Sequence, residues 1–379
     1  MQRTDVALVG AGPIGLEVAA ALQDDGIECV HVEAGAIGST MKWWSPGTKY
    51  FSSPERIQIA GVPLVVANQE KATREGYLDY LRQVALARGL VVRTHTRVVD
   101  AGIEDGGYRL ELAPNAHGVG GPEELDRRAG DAAVGDAAGG ARPRETLQAR
   151  RVVLAIGNMH LPRMLGIPGE GLAGVSHFLG EVHDSFGERV LIVGGQNSAA
   201  EAALRLYRLG ADVSVSYRGS SIGERVKPWL RPELEFLISK GCIGFEPETV
   251  PVTIREAGVG LDGSGRLEVE LEPVGGGPRA AHRFDRVLLL TGYVQDATLF
   301  GRLGVALGDS PEQRPLVDPA TLESKTAPGV YIAGTACGGS QRRARFFIET
   351  CHVHAEKIRA ALRGDVASVE DPVFELEES

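Results

Sequence analysis

The sequence predicts an α/β protein built from two Rossmann-like, three-layer domains, the second inserted into the first. Three observations point there. Residues 5–22 run from an apolar strand through a glycine turn into an alanine-rich helix, and residues 188–206 repeat that plan. Near the C-terminus, residues 329–339 offer a further buried strand and small-residue turn, which returns the chain to the first domain after the second is complete. A strand, glycine turn and helix of this kind is the fingerprint of dinucleotide binding. The expected boundaries are 1–172 and 291–365 for the first domain and 173–290 for the second, with 366–379 a tail.

Composition narrows the partners. At 379 residues, with 43% hydrophobic and 24% charged residues, the chain reads as a soluble globular protein with more than one core. A net charge of -10 argues against nucleic acid or an anionic membrane as the main partner. No apolar run approaches the ~18 residues of a membrane span and no leader pattern precedes the first strand, so a cytoplasmic location is expected. The four cysteines, Cys29, Cys242, Cys337 and Cys351, form neither a redox C-x-x-C pair nor a zinc pattern.

In the first unit, Gly10 allows a sharp turn out of the strand, Gly12 lets backbone amides approach a pyrophosphate, and Gly15 lets the helix sit close on the sheet. Pro13 opens that helix, whose positive end meets the phosphates. A second strand, residues 28–33, ends in Glu33 beside Ala34, at the spacing of an acid that receives ribose hydroxyls. Residues 39–66, rich in Trp, Pro, Ser and Phe, fit no period and read as a structured loop beside a ligand. A helix is expected over 75–88, stopped by Gly89, then a strand over 90–99. A hairpin beginning at 108–112 resumes at 146–156. The interval 114–145, full of Gly and Ala and without an aromatic residue, is expected to be a disordered insertion.

Two strands, 152–157 and 287–293, close apolar runs with Gly157 and Gly292. In proteins with two dinucleotide sites such strands are the crossings between domains, where small residues, here with Ala155, let backbone pass near both ligands; either could instead be a core strand ending in a turn. The second fingerprint carries Gly194, Gly195, Gln196, Asn197 and Ser198, with Gln196 where the generic pattern has its second glycine. The following strand ends in Tyr217 and Arg218. A guanidinium there suits a 2′-phosphate, so NADP is favoured over NAD. A strand pair, 267–271 with 285–290, is expected next. Gly334 and Thr335 then lead toward a helix from about Arg342, an arrangement able to present backbone donors to a flavin ring. His160 and His177 could donate protons, although single histidines without a visible partner are usually structural.

With these units in hand, the chain resembles the bacillithiol-disulfide reductase family within the thioredoxin-reductase-like flavoproteins. The likeness rests on Tyr50–Pro63, Gly194–Ala199, Tyr217–Gly219, Val226–Glu233, Thr291–Tyr293, and Phe347–Glu349 with His354. It implies that an NADPH domain is inserted into an FAD domain. FAD would lie on Gly10, Gly12, Pro13, Gly15, Glu33, Ala34, Val98, Ala155, Gly157, Gly334 and Thr335. NADPH would lie on Gly194 to Ser198, Tyr217, Arg218, Lys227 and Gly292. It further implies electron delivery to a small-molecule disulfide or similar acceptor, and a homodimer or larger homo-oligomer. Two departures stand out. Ile14 occupies the place where relatives commonly carry a cysteine beside the flavin, and Thr335 replaces the acid of thioredoxin reductases. Cys337 is the nearest candidate to replace the missing thiol, though a lone cysteine in such a turn is more often a small buried hydrophobe. A flavin-dependent monooxygenase is the runner-up, but Phe178–His183 falls one residue short of that family's signature. A non-catalytic redox sensor is the third reading. Domain rotation about residues 161–175 and 293–300 is the expected motion.

Overall fold

The computed structural model describes residues 1–104, 106–115, 144–159, 161–258, 266–341, 345–369 and 372. The expected insertion falls mostly outside them: residues 116–143 are not among those described, whereas Pro114 closes one strand and Glu145 opens the next. His160, Arg342 and all of the tail beyond 369 except Pro372 also lie outside.

The first sheet starts with β1 (Gln2–Val9), whose last four residues are all buried. It pairs in parallel with β2 (Cys29–Val32). Between them lies α1 (Pro13–Asp24), with Pro13 in its first turn and Ile14, Leu16, Val18 and Leu22 on its buried face. Helix α2 (Pro54–Ile57) lies in the aromatic loop, and α3 (Arg74–Ala87) follows, capped by the Thr73 hydroxyl accepting from the Gly76 amide at 3.1 Å. The strand expected over 90–99 is broken in two, β3 (Val92–Arg93) and β4 (Thr96–Glu104). His95 stands between them at φ +52°. Its amide donates to the Gly35 carbonyl and the Thr96 amide to the Glu33 carbonyl, so the backbone turns to bind the end of β2. Strand β5 (Gly107–Pro114) pairs antiparallel with β4 and with β6 (Glu145–Leu154). Strand β6 lies parallel to β1.

The chain then crosses through β7 (Leu161–Pro162) to a second, all-parallel sheet. This contains β8 (Val175–Ser176), β9 (Arg189–Val193), β10 (Asp212–Tyr217), β11 (Gly244–Pro247) and, much later in the chain, Arg286–Leu289, in the order β11-β10-β9-(286–289)-β8. Helices α4 (Asn197–Leu209) and α5 (Arg231–Ser239) accompany it, the former packing an alanine-rich buried face. An antiparallel sheet of β12 (Thr249–Glu256), β13 (Leu267–Pro273) and β14 (Ala280–Phe284) adds to the second body.

The expected pairing of 267–271 with 285–290 does not occur. Strand β13 alternates, with Leu267, Val269 and Leu271 buried and Glu268, Glu270 and Glu272 outward, which suits a sheet with one wet face. Strand β15 (Arg286–Leu289) buries Val287, Leu288 and Leu289 in succession, which suits the middle of a parallel sheet, and it lies between β9 and β8. The chain returns through β16 (Tyr293–Val294), paired antiparallel with β7, so the two crossings run side by side. After α6 (Thr298–Arg302), β17 (Val330–Ile332) takes the place beside the last residues of β6 that β5 holds beside its first. The final helix α7 (Ile348–Leu362) starts later than the expected Arg342. The Gln341 side-chain oxygen accepts from the Arg345 and Phe346 amides, and Phe347 is extended at φ -129° and ψ 178°, so these residues wrap a side chain instead of starting the helix.

The aromatic loop reaches from the first body to the second. Trp43 meets Phe178 edge-on at 6.3 Å, and Phe178 stacks obliquely on Tyr293 at 5.9 Å. Arg205 of α4 donates to the Thr48 hydroxyl at 3.0 Å and to the Pro46 carbonyl. Phe51 meets Trp229 edge-on at 5.9 Å. Among the described residues, no helix is long and apolar enough to cross a membrane.

Candidate functional site

One continuous cavity of about 2480 Å³ is lined by both glycine turns, the crossing segments and the aromatic loop. In the first turn the glycines have separate steric reasons. Gly10 adopts φ +103°, and a Cβ there would collide with the Ala155 carbonyl. A Cβ on Gly15 would collide with the Gly10 carbonyl oxygen, whereas one on Gly12 would meet nothing within 4 Å. Gly12 is the N-cap of α1, which has no side-chain cap and no acid in its first turn. Its leading amides are therefore open to an anion in the cavity.

Two buried side chains brace this turn. The Glu33 oxygens accept from the Ala11 amide at 2.8 Å and the Gly35 amide at 2.7 Å. Burial pushes the Glu33 carboxyl above its ordinary range, and those two bonds and the nearby His95 oppose the shift. His31 Nε2 lies 2.9 Å from the Gly10 carbonyl, so it is the nitrogen that donates. Burial lowers the His31 imidazole to about 4, and the Gly10 carbonyl only partly opposes that.

Farther along the cavity stand Ala34, Val98, Ala155, Gly157 and Thr335. The Gln295 side-chain amide donates to the Gly157 carbonyl at 3.0 Å and the Ala336 carbonyl at 3.1 Å, tying a crossing segment to the closing turn. The Gly334 amide does not face the cavity as a free donor. It donates to His354 Nδ1 at 3.0 Å, which leaves the proton of the neutral ring on Nε2. Ile14 packs on Gly334, where a Cβ would approach its side chain to 3.2 Å.

In the second turn, Gln196 is the N-cap of α4, again with no side-chain cap and no acid in the first turn. The Tyr217 ring lies flush on Gly195, where any Cβ would strike it, and the Gln196 side-chain amide reaches the Tyr217 hydroxyl at 3.4 Å. Gln196 thus departs from glycine without closing the helix end. Ser198 and Gly292 line the cavity, and Asn197 Oδ1 accepts from the Lys227 amide at 2.9 Å. Arg218 lines the cavity too, and so does Arg225, which the sequence reading passed over. Both are exposed, and neither has an ion-pair partner among the described residues. No local pattern marks Arg225: it is brought to the fingerprint by the Gly223 amide, which donates to the Gly195 carbonyl at 3.1 Å across 28 positions.

The thiols are poorly placed for relay chemistry. Cys337 lines the cavity but is 5% exposed, and its Sγ donates to the Ile332 carbonyl at 3.2 Å. Burial pushes Cys29 up to about 12. Cys351 is buried within α7, and Cys242 is exposed after α5. His177 Nε2 lies 3.0 Å from Glu170, a carboxylate that also accepts the Leu165 and Gly166 amides; this cluster organises a crossing loop. Phe178, first residue of the stretch compared with a monooxygenase signature, packs between Trp43 and Tyr293.

One pair at the edge of the site was not legible in sequence. His352 Nδ1 lies 2.9 Å from Glu17 and its Nε2 2.9 Å from the Arg56 carbonyl. Both partners only accept, so both nitrogens donate and the ring is an imidazolium. Burial pulls the group down, but the Glu17 bond and charge, the Arg56 carbonyl and Glu349 outweigh it and hold it above 6.5. The sign follows: this tie stabilises the fold fully below the ordinary imidazole value and is lost as pH rises through the raised one. A urea-denaturation series across neutral to alkaline pH should show stability declining, and His352→Gln should flatten that decline. An unchanged slope in the variant would assign the decline to other groups.

Residues 7–115 and 142–334 match the family model described as pyridine nucleotide-disulphide oxidoreductase. The chain is 28% identical to bacilliredoxin reductase Bdr of Bacillus subtilis, over 94% of this chain and 96% of that protein. Its fold superposes on the bacillithiol disulfide reductase Bdr of Bacillus cereus with a TM-score of 0.82 and 26% identity, covering 96% of this chain and 99% of the other. The thioredoxin reductase of T. acidophilum shares the fold at a TM-score of 0.65 and 18% identity, over 96% and 99% of the two chains.

Proposed function

This chain belongs to the pyridine nucleotide-disulphide oxidoreductase family, and from that premise we propose that it carries electrons from NADPH, by way of FAD, to a low-molecular-weight disulfide or similar acceptor. The observation that carries the reading is that two uncapped helix N-termini, those of α1 and α4, open into one cavity with no acidic side chain in either first turn. Each is a seat for a pyrophosphate. FAD supplies the hydride-accepting chemistry when bound. The first seat fits it: Gly12 leaves room for backbone approach, Glu33 keeps lone pairs for a ribose diol, and Ala155, Gly157 and Thr335 are small enough to let a ring system lie close. The second seat fits NADPH, with the α4 amides for its pyrophosphate and Arg218 and Arg225 for a 2′-phosphate.

The remaining residues serve position and exclusion. His31 and Glu33 fix the first turn from behind, Gln295 holds the crossing segment to the closing turn, and the Trp43–Phe178–Tyr293 cluster keeps water from the junction. With Cys337 bonded to backbone and Ile14 in the first turn, no thiol of this chain is assigned a step.

The test is the absorption spectrum of purified protein, taken before and after anaerobic NADPH and again after a small disulfide is added. The expected sequence is a bound flavin spectrum, bleaching by NADPH, and recovery with the disulfide. Protein that neither contains nor takes up flavin would overturn the proposal. So would flavin that NADPH leaves oxidised.

A further inference from the structure

The family likeness implies that Lys227 lies near the phosphates of NADPH, and the structure adds what surrounds its ammonium. Nζ stands 5.7 Å from the centre of the Phe51 ring and 5.6 Å from that of Trp229, one ring from each body of the molecule. Its backbone is fixed by the Asn197 side chain at 2.9 Å. No carboxylate lies within ion-pair reach of Nζ among the described residues. The charged groups that bear on it are Glu349, from α7, and Lys71, from the loop before α3. Glu349 is itself held by the Ser52 hydroxyl, 2.8 Å from both of its oxygens. Burial lowers the Lys227 ammonium, Glu349 opposes that and Lys71 adds to it, so this cation is left short of negative charge.

The location is a mouth. Phe51, Ser52, Lys227 and Glu349 line the cavity, while Trp229 is 48% exposed at its edge. On the reading above, the nucleotide phosphates are seated at the two helix ends and at Arg218 and Arg225, which leaves this cation, without a carboxylate in ion-pair reach, available to a different anion. The molecule as a whole carries a net charge of -10, and an anionic acceptor would need such a local positive point in order to enter. Resting on the reductase reading above, we propose that Lys227, framed by Phe51 and Trp229, receives a carboxylate of the acceptor and selects small anionic disulfides over neutral ones. The rings exclude water from the ion pair and pack on the methylene groups of the acceptor.

The test uses the full-length flavin-loaded protein and two probes of similar size, dithiodiacetate and hydroxyethyl disulfide. Binding is read as quenching of Trp229 fluorescence without NADPH, with Trp229→Phe identifying the signal among the three tryptophans. Turnover with NADPH is measured in parallel. Dithiodiacetate is expected to bind about tenfold more tightly, the size of one charge-assisted contact. Lys227→Gln should bring the two probes together, and Lys227→Arg should restore most of the difference. Equal binding of the probes to the wild-type protein would overturn the proposal. So would a Lys227→Gln protein that keeps the preference, or one that weakens NADPH by the same factor as dithiodiacetate. If no disulfide is turned over but the charge-dependent quench persists, the reductase reading fails and the anion site stands.

Discussion

A Gly15→Ala protein is expected to emerge both unstable and unable to hold flavin, while Gly12→Ala loses the flavin and keeps its fold. The difference is geometric. At position 15 an added methyl has nowhere to go, because the Gly10 carbonyl already fills its place and α1 would have to lift off the sheet. Overpacking of this kind costs about 1–3 kcal/mol or more, which exceeds the gain of about 1 kcal/mol that alanine brings to a helix interior. At position 12 the methyl points into open space and the backbone is regular, at φ -77° and ψ -175°, so the apo protein should stay within about 1 kcal/mol of wild type. On the proposed reading, that open space is where a pyrophosphate meets the α1 amides. Holding it away from two such donors should weaken flavin by about a hundredfold or more. Urea denaturation of the apo proteins and flavin titration separate the two effects. A Gly12→Ala protein with normal flavin affinity would place the cofactor elsewhere.

The second large effect concerns the choice of nicotinamide coenzyme. Replacing Arg218 and Arg225 together by alanine should lower kcat/KM for NADPH by about a hundredfold and leave NADH nearly unchanged, since each guanidinium contact to a phosphate is worth about tenfold. Both side chains are exposed, so the effect should shrink as salt is raised. Each single variant divides the loss. Equal losses for both coenzymes would mean that these arginines act on the fold or on the shared pyrophosphate, and not on the 2′-phosphate.

What could be read from sequence was what short-range chemistry dictates. The two glycine turns, the helix expected over 75–88 and the closing acid Glu33 follow from local spacing; the turns and the acid stand where that spacing puts them, and the helix runs one residue earlier, Arg74–Ala87. Strand partners were harder. Leu267–Leu271 and the run after Asp285 both read as strands, but the first alternates Leu and Val with Glu while the second is continuously apolar, and that difference sends them to different sheets. The break at His95 depends on carbonyls of Glu33 and Gly35 brought near by the parallel sheet, and the late start of α7 depends on the reach of the Gln341 side chain. The bracing groups His31, Gln295 and His352 were illegible for the same reason. Each meets partners far away in the chain, as His352 meets Glu17 across 335 positions, and no local pattern encodes that.

Trp43, Pro46, Thr48 and Phe51 touch the second body directly, through two ring contacts and the Arg205 guanidinium. Direct contacts of this kind hold the two halves of the cavity in register, so less ordering is left for a bound coenzyme to supply. Coenzyme affinity should accordingly reflect local fit far more than large-scale closure. Any swing about the twin crossings must first part Trp43 from Phe178 and free Arg205 from its two oxygen acceptors.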